Sequence, residues 1–542
     1  MIPSNRRFTI IFVVVVTVLA MLPTVIGVLA RPAGTSFSGL HAASQGDLPV
    51  YFGYLQQVQD GHLLVRDTMT SEPTPYTPYS IWMVFGTLAR PFDLDPRVTY
   101  HLARLVLIPL ALLAWAWALK FWVPNPRRWR LALVLSVFAA GLGVWLTLWQ
   151  NVHGTALSER TFAMDLWVSE AFGFMTLLHS PHFIASTTVV LLALTFFARS
   201  FSGGRLRDAA IAGGLVSLLG TFHPFHLITL AAVPLVFGLA LLVRERRFTR
   251  GDLQRFAVYG LLALPGAAVY LLYNLNEPTI HQRYLQNITL TPSLPVTLVS
   301  YGLLVPFAIV GAVRRLRDRS RTSLFLVMWF VVHALLLYTP VLFQRRLTQG
   351  FEFPLILLAL DGLLVLHVFL LRFPVFKARL TGLGGAILAG FFLFFGFGMS
   401  TASVFGSELK LVFQARAGGA VYLPAEQVTA FRWLHDNSTD ADISIALPFE
   451  GLFAAGLSGR RTYIGHGVET LHADDKASAA AAFFTGGSSA DRLRLLRENG
   501  ITVVIETPRE LSIESTPLSR ESFLQPVFEQ GSVTLYRVVD SA

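Results

Sequence analysis

The chain has 542 residues, of which 53% are hydrophobic and 14% charged, with a mean hydropathy of +0.56 and a formal net charge of +10. Soluble domains carry about 25% charged residues, so this composition, with several apolar runs of about 20 residues, defines a polytopic membrane protein. The absence of cysteine excludes disulfides, thiolate metal sites and cysteine nucleophiles, and the basic residues lie mostly in short loops, where they set membrane orientation and do not suggest nucleic acid.

Eleven spans are predicted, at about 8–30, 98–123, 131–150, 183–199, 209–222, 227–243, 257–273, 296–313, 322–342, 353–371 and 382–405. The first is too long for the apolar core of a signal peptide and is expected to remain as a span. One set of connections holds twenty-one Lys and Arg, among them Arg6, Arg127, Arg244, Arg321, Lys377 and Arg379. The opposite short loops hold four, namely Arg160, Arg283, Arg345 and Arg346. That bias places the N-terminus in the cytoplasm and, with an odd number of spans, the C-terminal segment outside. The long connections, 31–97, 151–182, 274–295 and the tail 406–542, are then all external. A transporter would more often show two related halves, and no such repeat is visible.

The first external loop carries an acidic, aromatic stretch, "GDLPVYFGYLQQVQDGHL". Asp47 precedes Pro49 as a helix cap would, and Tyr51, Tyr54, Leu55 and Val58 recur at helical spacing. The helix is expected to lie along the membrane surface with its aromatic rings at headgroup level. "SEPTPYTPYS" then interrupts regular structure. Asp95-Pro96 restarts it as an N-cap followed by Pro at the first helical position, which removes most of the appeal of Asp93-Leu94-Asp95 as a metal motif.

With one N-terminal span, a large external loop bearing an acid followed by a Tyr-rich helix and a Gly, and the basic pair in "FQRRLTQGFEFPL" just before a late span, residues 1–405 resemble the GT-C glycosyltransferases. These are polytopic enzymes, such as the protein O-mannosyltransferases and the lipid A aminoarabinose transferases, that use polyprenyl-phosphate sugars. The resemblance implies a mainly α helical membrane bundle acting on a polyprenyl-phosphate-linked sugar and an envelope glycan, lipid or protein acceptor. The family often has two adjacent acids in the loop, whereas here Leu48 follows Asp47.

Such a transfer needs a base for the acceptor hydroxyl and positive charge, from side chains or a divalent ion such as Mg or Mn, for the leaving phosphate. Asp47 is the candidate base, with Glu72, held in a Pro-rich turn, as the second acid. The other reading of Asp47 is a helix cap. Arg345 and Arg346 run against the charge bias and suit a phosphate, since guanidinium groups make planar, bidentate contacts; pairing with Glu352 or with lipid headgroups is the alternative. His179 and His182 in "HSPH", and His223 and His226 in "HPFH", fall at external span ends. At helical spacing each pair would suit a metal with Asp165 or Glu170, but the Pro within each pair points to turns, and hydrogen bonding to substrate is the competing role. His333 and Asp361 lie within spans and are candidates to pair with each other.

After Phe405 the composition turns polar, and alternating elements predict a small external α/β domain over 406–542. Helices are expected at 425–437 and from 489, and strands at 442–448, 461–467, before 508, and at 531–539. "GHGVET", with His466 and Glu469, is a turn or a binding loop. The domain is expected to cover the active-site mouth or select the acceptor. A transporter, a lipid flippase and a non-catalytic envelope assembly protein are the readings from other classes.

Overall fold

The computed structural model describes residues 3–41, 46–203, 205–375, 382–415, 417 and 419–539. Lys377 and Arg379 of the basic set lie outside them. The chain divides into two compact units. The first comprises Met1–Leu22, Arg104–Leu272 and Ile288–Leu409; the second comprises Pro23–Ala103, Tyr273–Asn287 and Lys410–Ala542. The expected boundary at 405 falls close to the last of these breaks, but the first loop folds with the tail.

The first unit is a helical bundle. Among the described residues, eight helices are long and apolar enough to cross a membrane. Three of the eleven expected spans take other forms. Leu294–Tyr301 and Leu304–Arg317 are one pair bent by 79° at Gly302, whose φ of 51° suits glycine. Arg321–Leu336 and Leu206–Gly220 have only 16 and 15 residues, about 24 and 22 Å of helix against a hydrocarbon core of about 30 Å. The span Pro126–Val152 is interrupted after Phe138. Its freed backbone groups are satisfied by neighbours, with Ala140 N donating to Phe397 O (2.6 Å) and Leu142 N to Val299 O (2.9 Å), as a break at membrane depth requires. Leu304–Arg317 crosses Glu352–Leu370 closely, because Gly311 and Gly362 present no side chain to the opposite backbone.

Two of the bundle's basic loops, those around Arg244 and Arg321, are tied to each other. Arg321 holds both Glu245 and Asp252, the latter at 2.9 Å, and Arg244 donates to Arg319 O at 3.0 Å. His333 and Asp361 do not pair with each other. His333 Nε2 bonds Leu347 O at 2.7 Å, and Asp361 accepts from Arg315 Nε at 2.5 Å. His333 and Asp361 thus each meet a complementary partner, which lowers the cost of burying them.

The second unit joins the first loop to the tail. Strand β1 (Thr35–Phe37) pairs antiparallel with β2 (Tyr422–Pro424). The helix Asp47–Gln59 does not turn its apolar residues outward, as a surface-lying helix would. Leu48, Val50, Phe52, Tyr54, Leu55 and Val58 are all buried in one core with Phe431, Leu434, Phe453 and Val503 of the tail. A helix apolar on nearly every side is a core helix, and the four residues picked out by the periodicity show only part of that surface. It packs on Pro448–Ser458 through Gly456, where a Cβ would lie 2.6 Å from Pro49 O.

The tail's sheet has the order β4-β3-β5-β7-β6, where β3 is Ile443–Ile445, β4 Arg461–Thr462, β5 Val503–Glu506, β6 Leu524–Gln530 and β7 Val533–Val538. The strands β4, β3 and β5 are parallel, and β7 and β6 close the sheet antiparallel. The expected elements are present, the helix Ala425–Asn437 with the same bounds. The helices Pro448–Ser458 and Ala473–Thr485, and β6, were not expected. The two helices are rich in Ala or Gly, so their periodicity is weak, and β6 contains Pro526, which argues against a strand.

Past the end of β5, acids are buried together. Glu506 accepts from Tyr536 Oη at 3.1 Å, and burial, with the nearby Glu514 carboxylate, pushes its carboxyl up to about 7. Glu450 is likewise raised, by burial and by Glu510. A carboxyl whose folded pKa lies above its unfolded value keeps its proton longer in the folded state. Its contribution is therefore fully present below pH 4.5 and is lost as pH rises through about 7. Thermal unfolding of the full chain should show the second unit losing up to about 1.4 kcal/mol per pH unit for each such group in that window. Glu506→Gln should flatten the slope; an unchanged slope would mean that Glu506 ionises as it does in the unfolded chain.

Candidate functional site

Asp47 opens its helix but does not cap it. The N-cap position is Gly46, and no side-chain capping bond is made there. The carboxylate instead faces an imidazole of the tail: His466 Nε2 lies 3.1 Å from Asp47 Oδ1. His466 Nδ1 accepts from the backbone N–H groups of Val468 and Glu469, each at 3.1 Å. The side chain of Asp47 is 35% exposed, so a substrate hydroxyl can reach it.

Two further acids of the first loop, Glu72 and Asp67, are held by protein partners. Glu72 is bound by Lys476 Nζ at 2.7 Å and by Thr70 Oγ1. Burial pushes the Glu72 carboxyl up, but the hydrogen bonds from Lys476 and Thr70 outweigh it and hold it below its ordinary value. Its oxygens thus fasten the loop to the helix Ala473–Thr485. Asp67 Oδ1 accepts from Met69 N at 2.8 Å, and its Oδ2 lies 3.6 Å from Arg283. Arg283, from the helix Pro278–Gln286, also forms an ion pair with Glu469. Gln286 Nε2 donates to Thr470 O at 3.1 Å. The "GHGVET" loop is therefore bound both by Asp47 and by the 273–287 segment. Sequence reasoning marked the loop but not its partners. Arg283 was itself a signal, as one of four cations against the charge bias.

In the first unit, three of the four candidate histidines come together. "HSPH" and "HPFH" are helix entries, with Pro181 opening Pro181–Gly203 and Pro224 opening the turn Pro224–His226. The rings of His182 and His223 lie 5.6 Å apart, and those of His223 and His226 lie 5.5 Å apart. His179 packs edge-on to Phe183. Ser180 Oγ and His182 Nδ1 share a hydrogen bond of 2.7 Å. Burial lowers the His223 pKa well below its ordinary value, and His226, His182 and Arg346 reinforce the shift, so this ring is neutral near pH 7. Gln349 closes the cluster, donating to Phe183 O, Ser186 Oγ and Thr187 Oγ1 at 2.6–3.0 Å.

The two arginines differ. Arg345 bonds Glu159 at 2.8 Å, lies over Trp167 at 4.3 Å, and faces a partner that is 64% exposed. Arg346 lies over Phe225 at 5.0 Å beside the imidazoles, with Glu170 at 3.9 Å. Neither is paired with Glu352, because Glu159 and Glu170 provide the nearer carboxylates. Arg346 with His182, His223 and His226 gathers one fixed positive charge and several ring nitrogens, which suits an anion.

The same groups do not fit a metal. Among the described residues, no three His, Asp or Glu side chains are arranged to hold one. Asp165 and Glu170, the acids considered as partners, are turned elsewhere. Asp165 Oδ2 accepts from Gly143 N at 2.9 Å, with burial pushing its carboxyl up to about 6, and Glu170 faces Arg346. No step is therefore assigned to Mg or Mn.

The fold is thus a multi-pass membrane bundle joined in sequence to a second unit built from the first loop and a β-sheet tail. No protein-family model and no curated protein sequence matches the chain. Solved structures do share its fold. The apo oligosaccharyltransferase of Archaeoglobus fulgidus is similar with a TM-score of 0.51 at 14% identity, over 91% of this chain and 69% of that one. The archaeal oligosaccharyltransferase AglB from Archaeoglobus fulgidus, in complex with an inhibitory peptide and a dolichol-phosphate, gives 0.50 at 14% identity, over 98% and 74%. ArnT from Cupriavidus metallidurans bound to undecaprenyl phosphate gives 0.48 at 13% identity, over 98% of each chain.

Proposed function

We propose that this protein is a GT-C-type membrane glycosyltransferase that moves a sugar from a polyprenyl-phosphate donor to an envelope acceptor on the external face of the cell membrane. The observation that carries the reading is Asp47: an accessible carboxylate, just beyond the first span, oriented by an imidazole and not used as a helix cap. The fold shared with an oligosaccharyltransferase supports it.

In the proposed step the acceptor oxygen attacks the anomeric carbon and its proton passes to Asp47. The bond from that carbon to the phosphate oxygen breaks, and its electron pair leaves with the polyprenyl phosphate. A fixed cation must stabilise the charge that develops there, and Arg346 is the candidate for it. Glu72 acts through structure, holding the first loop. The excess of Lys and Arg in one set of loops supports a cytoplasmic N-terminus and an external tail. The transporter reading is weaker, because Asp361 and His333, the ionisable groups that favoured it, are each bonded locally.

The test is direct. The purified full chain in detergent is incubated with synthetic polyprenyl-phosphate hexoses and pentoses and an envelope extract, and released polyprenyl phosphate is measured by mass spectrometry. At least one donor should be consumed, faster with extract than without. Consumption of none, with no binding of polyprenyl phosphate, would overturn the reading.

A further inference from the structure

We propose that His466 is the positioning residue for Asp47, fixing the rotamer in which its carboxylate meets the acceptor hydroxyl. The inference rests on the reading of Asp47 as base and adds to it a group from the far end of the chain.

The tautomer follows from the hydrogen bonds. A neutral imidazole has one N–H and one bare nitrogen. Nδ1 of His466 accepts from two backbone N–H groups, Val468 and Glu469, each at 3.1 Å. The ring's proton is therefore on Nε2, the nitrogen 3.1 Å from Asp47 Oδ1. The same bonds define what the ring does not do. Taking a second proton at Nδ1 would break both backbone bonds, so His466 orients the base and does not relay its proton. The acceptor proton stays on Asp47.

The loop that carries the ring is held from several sides. Thr470 Oγ1 donates to Met69 O at 2.5 Å and accepts from Gly465 N at 3.2 Å. Leu471 N donates to Thr70 Oγ1 at 3.2 Å, and Glu469 is ion-paired with Arg283. A Cβ at Gly46 would lie 3.3 Å from the imidazole's Cδ2 and Nε2, so the residue before Asp47 leaves just the room the ring needs. A ring tied to a braced loop is rigid enough to select one rotamer of a carboxylate that is one-third exposed.

The experiment uses the full chain and the donor mixture described above. His466→Ala should lower kcat about 10- to 100-fold, the scale of a misplaced catalytic group, with the donor KM within about threefold. His466→Gln, whose amide N–H can reach the place of Nε2–H, should recover most of that loss. In spectra of the ¹⁵N-histidine-labelled protein, the imidazole lost in His466→Gln should be the Nε2–H tautomer, and its signals should shift in Asp47→Asn. Wild-type kcat in His466→Ala, or a ring protonated at Nδ1, overturns the proposal. The two ideas separate cleanly. If Asp47→Asn turns over like wild type, the base reading fails, and the positioning role with it, while the spectrum still reports whether the two side chains pair. If Asp47→Asn is inactive but His466→Ala keeps its kcat, the base stands and only the positioning role falls.

Discussion

Asp47→Asn is expected to lower turnover by about 10²-fold or more with expression unchanged, the usual scale for removing a general base. The substitution is a sharp one here. Asparagine has the shape of aspartate, and its Oδ1 can still accept the Nε2–H of His466, which lies 3.1 Å from the native carboxylate. The contact with His466 and the core beneath the helix are preserved, since asparagine keeps the shape and the acceptor oxygen. What disappears is basicity. Thermal unfolding should therefore stay close to wild type while the rate collapses. A rate within a few-fold of wild type would remove Asp47 from the chemistry. Glu72 would be a poor replacement, because Lys476 and Thr70 already hold its carboxylate.

The second large effect is expected at Arg346. Arg346→Lys keeps the charge but loses the planar fork and its stacking over Phe225, 5.0 Å away. Charge-assisted hydrogen bonds to a partly dry phosphate contribute about 1.5–3 kcal/mol, so donor affinity should fall about 10- to 100-fold. Arg345→Lys should change it by less than about threefold. Arg345 is already bonded to Glu159, a partner that is 64% exposed, and exposed ion pairs are worth about 0–1 kcal/mol. The measurement is binding of polyprenyl phosphate and transfer rate for the two single variants. Equal, wild-type-like behaviour would return both residues to the role of a membrane-surface anchor. Equal losses would mean that the stacking and partners seen here do not distinguish them.

Some of this was legible before any coordinates. Span positions follow from apolar runs, because burial in lipid acts on each segment separately. The tail's helix Ala425–Asn437 and the strand Val503–Glu506 follow from local period and flanking signals. The prolines in the histidine motifs pointed to turns, which holds for Pro224 in the short turn Pro224–His226, whereas Pro181 opens the helix Pro181–Gly203. Asp47 stood out as the acid of an unusual loop.

Partners were another matter. Asp47 and His466 are 419 residues apart in sequence, and no local rule links a helix start to a turn in a later domain. The helix Asp47–Gln59 was read as surface-lying because its neighbours were unknown; Phe453, Phe431 and Val503 of the tail make it core. Arg345 and Arg346 are identical in charge and adjacent in sequence, yet Trp167 and Glu159 take one while Phe225 and the imidazoles surround the other. Composition and period therefore determined that this is a membrane bundle with a mixed tail, since solvation and backbone hydrogen bonding act residue by residue. Which imidazole meets the Asp47 carboxylate and which side chains surround each guanidinium were decided only by tertiary structure, because hydrogen bonds and ion pairs act over a few ångströms in space regardless of distance along the chain.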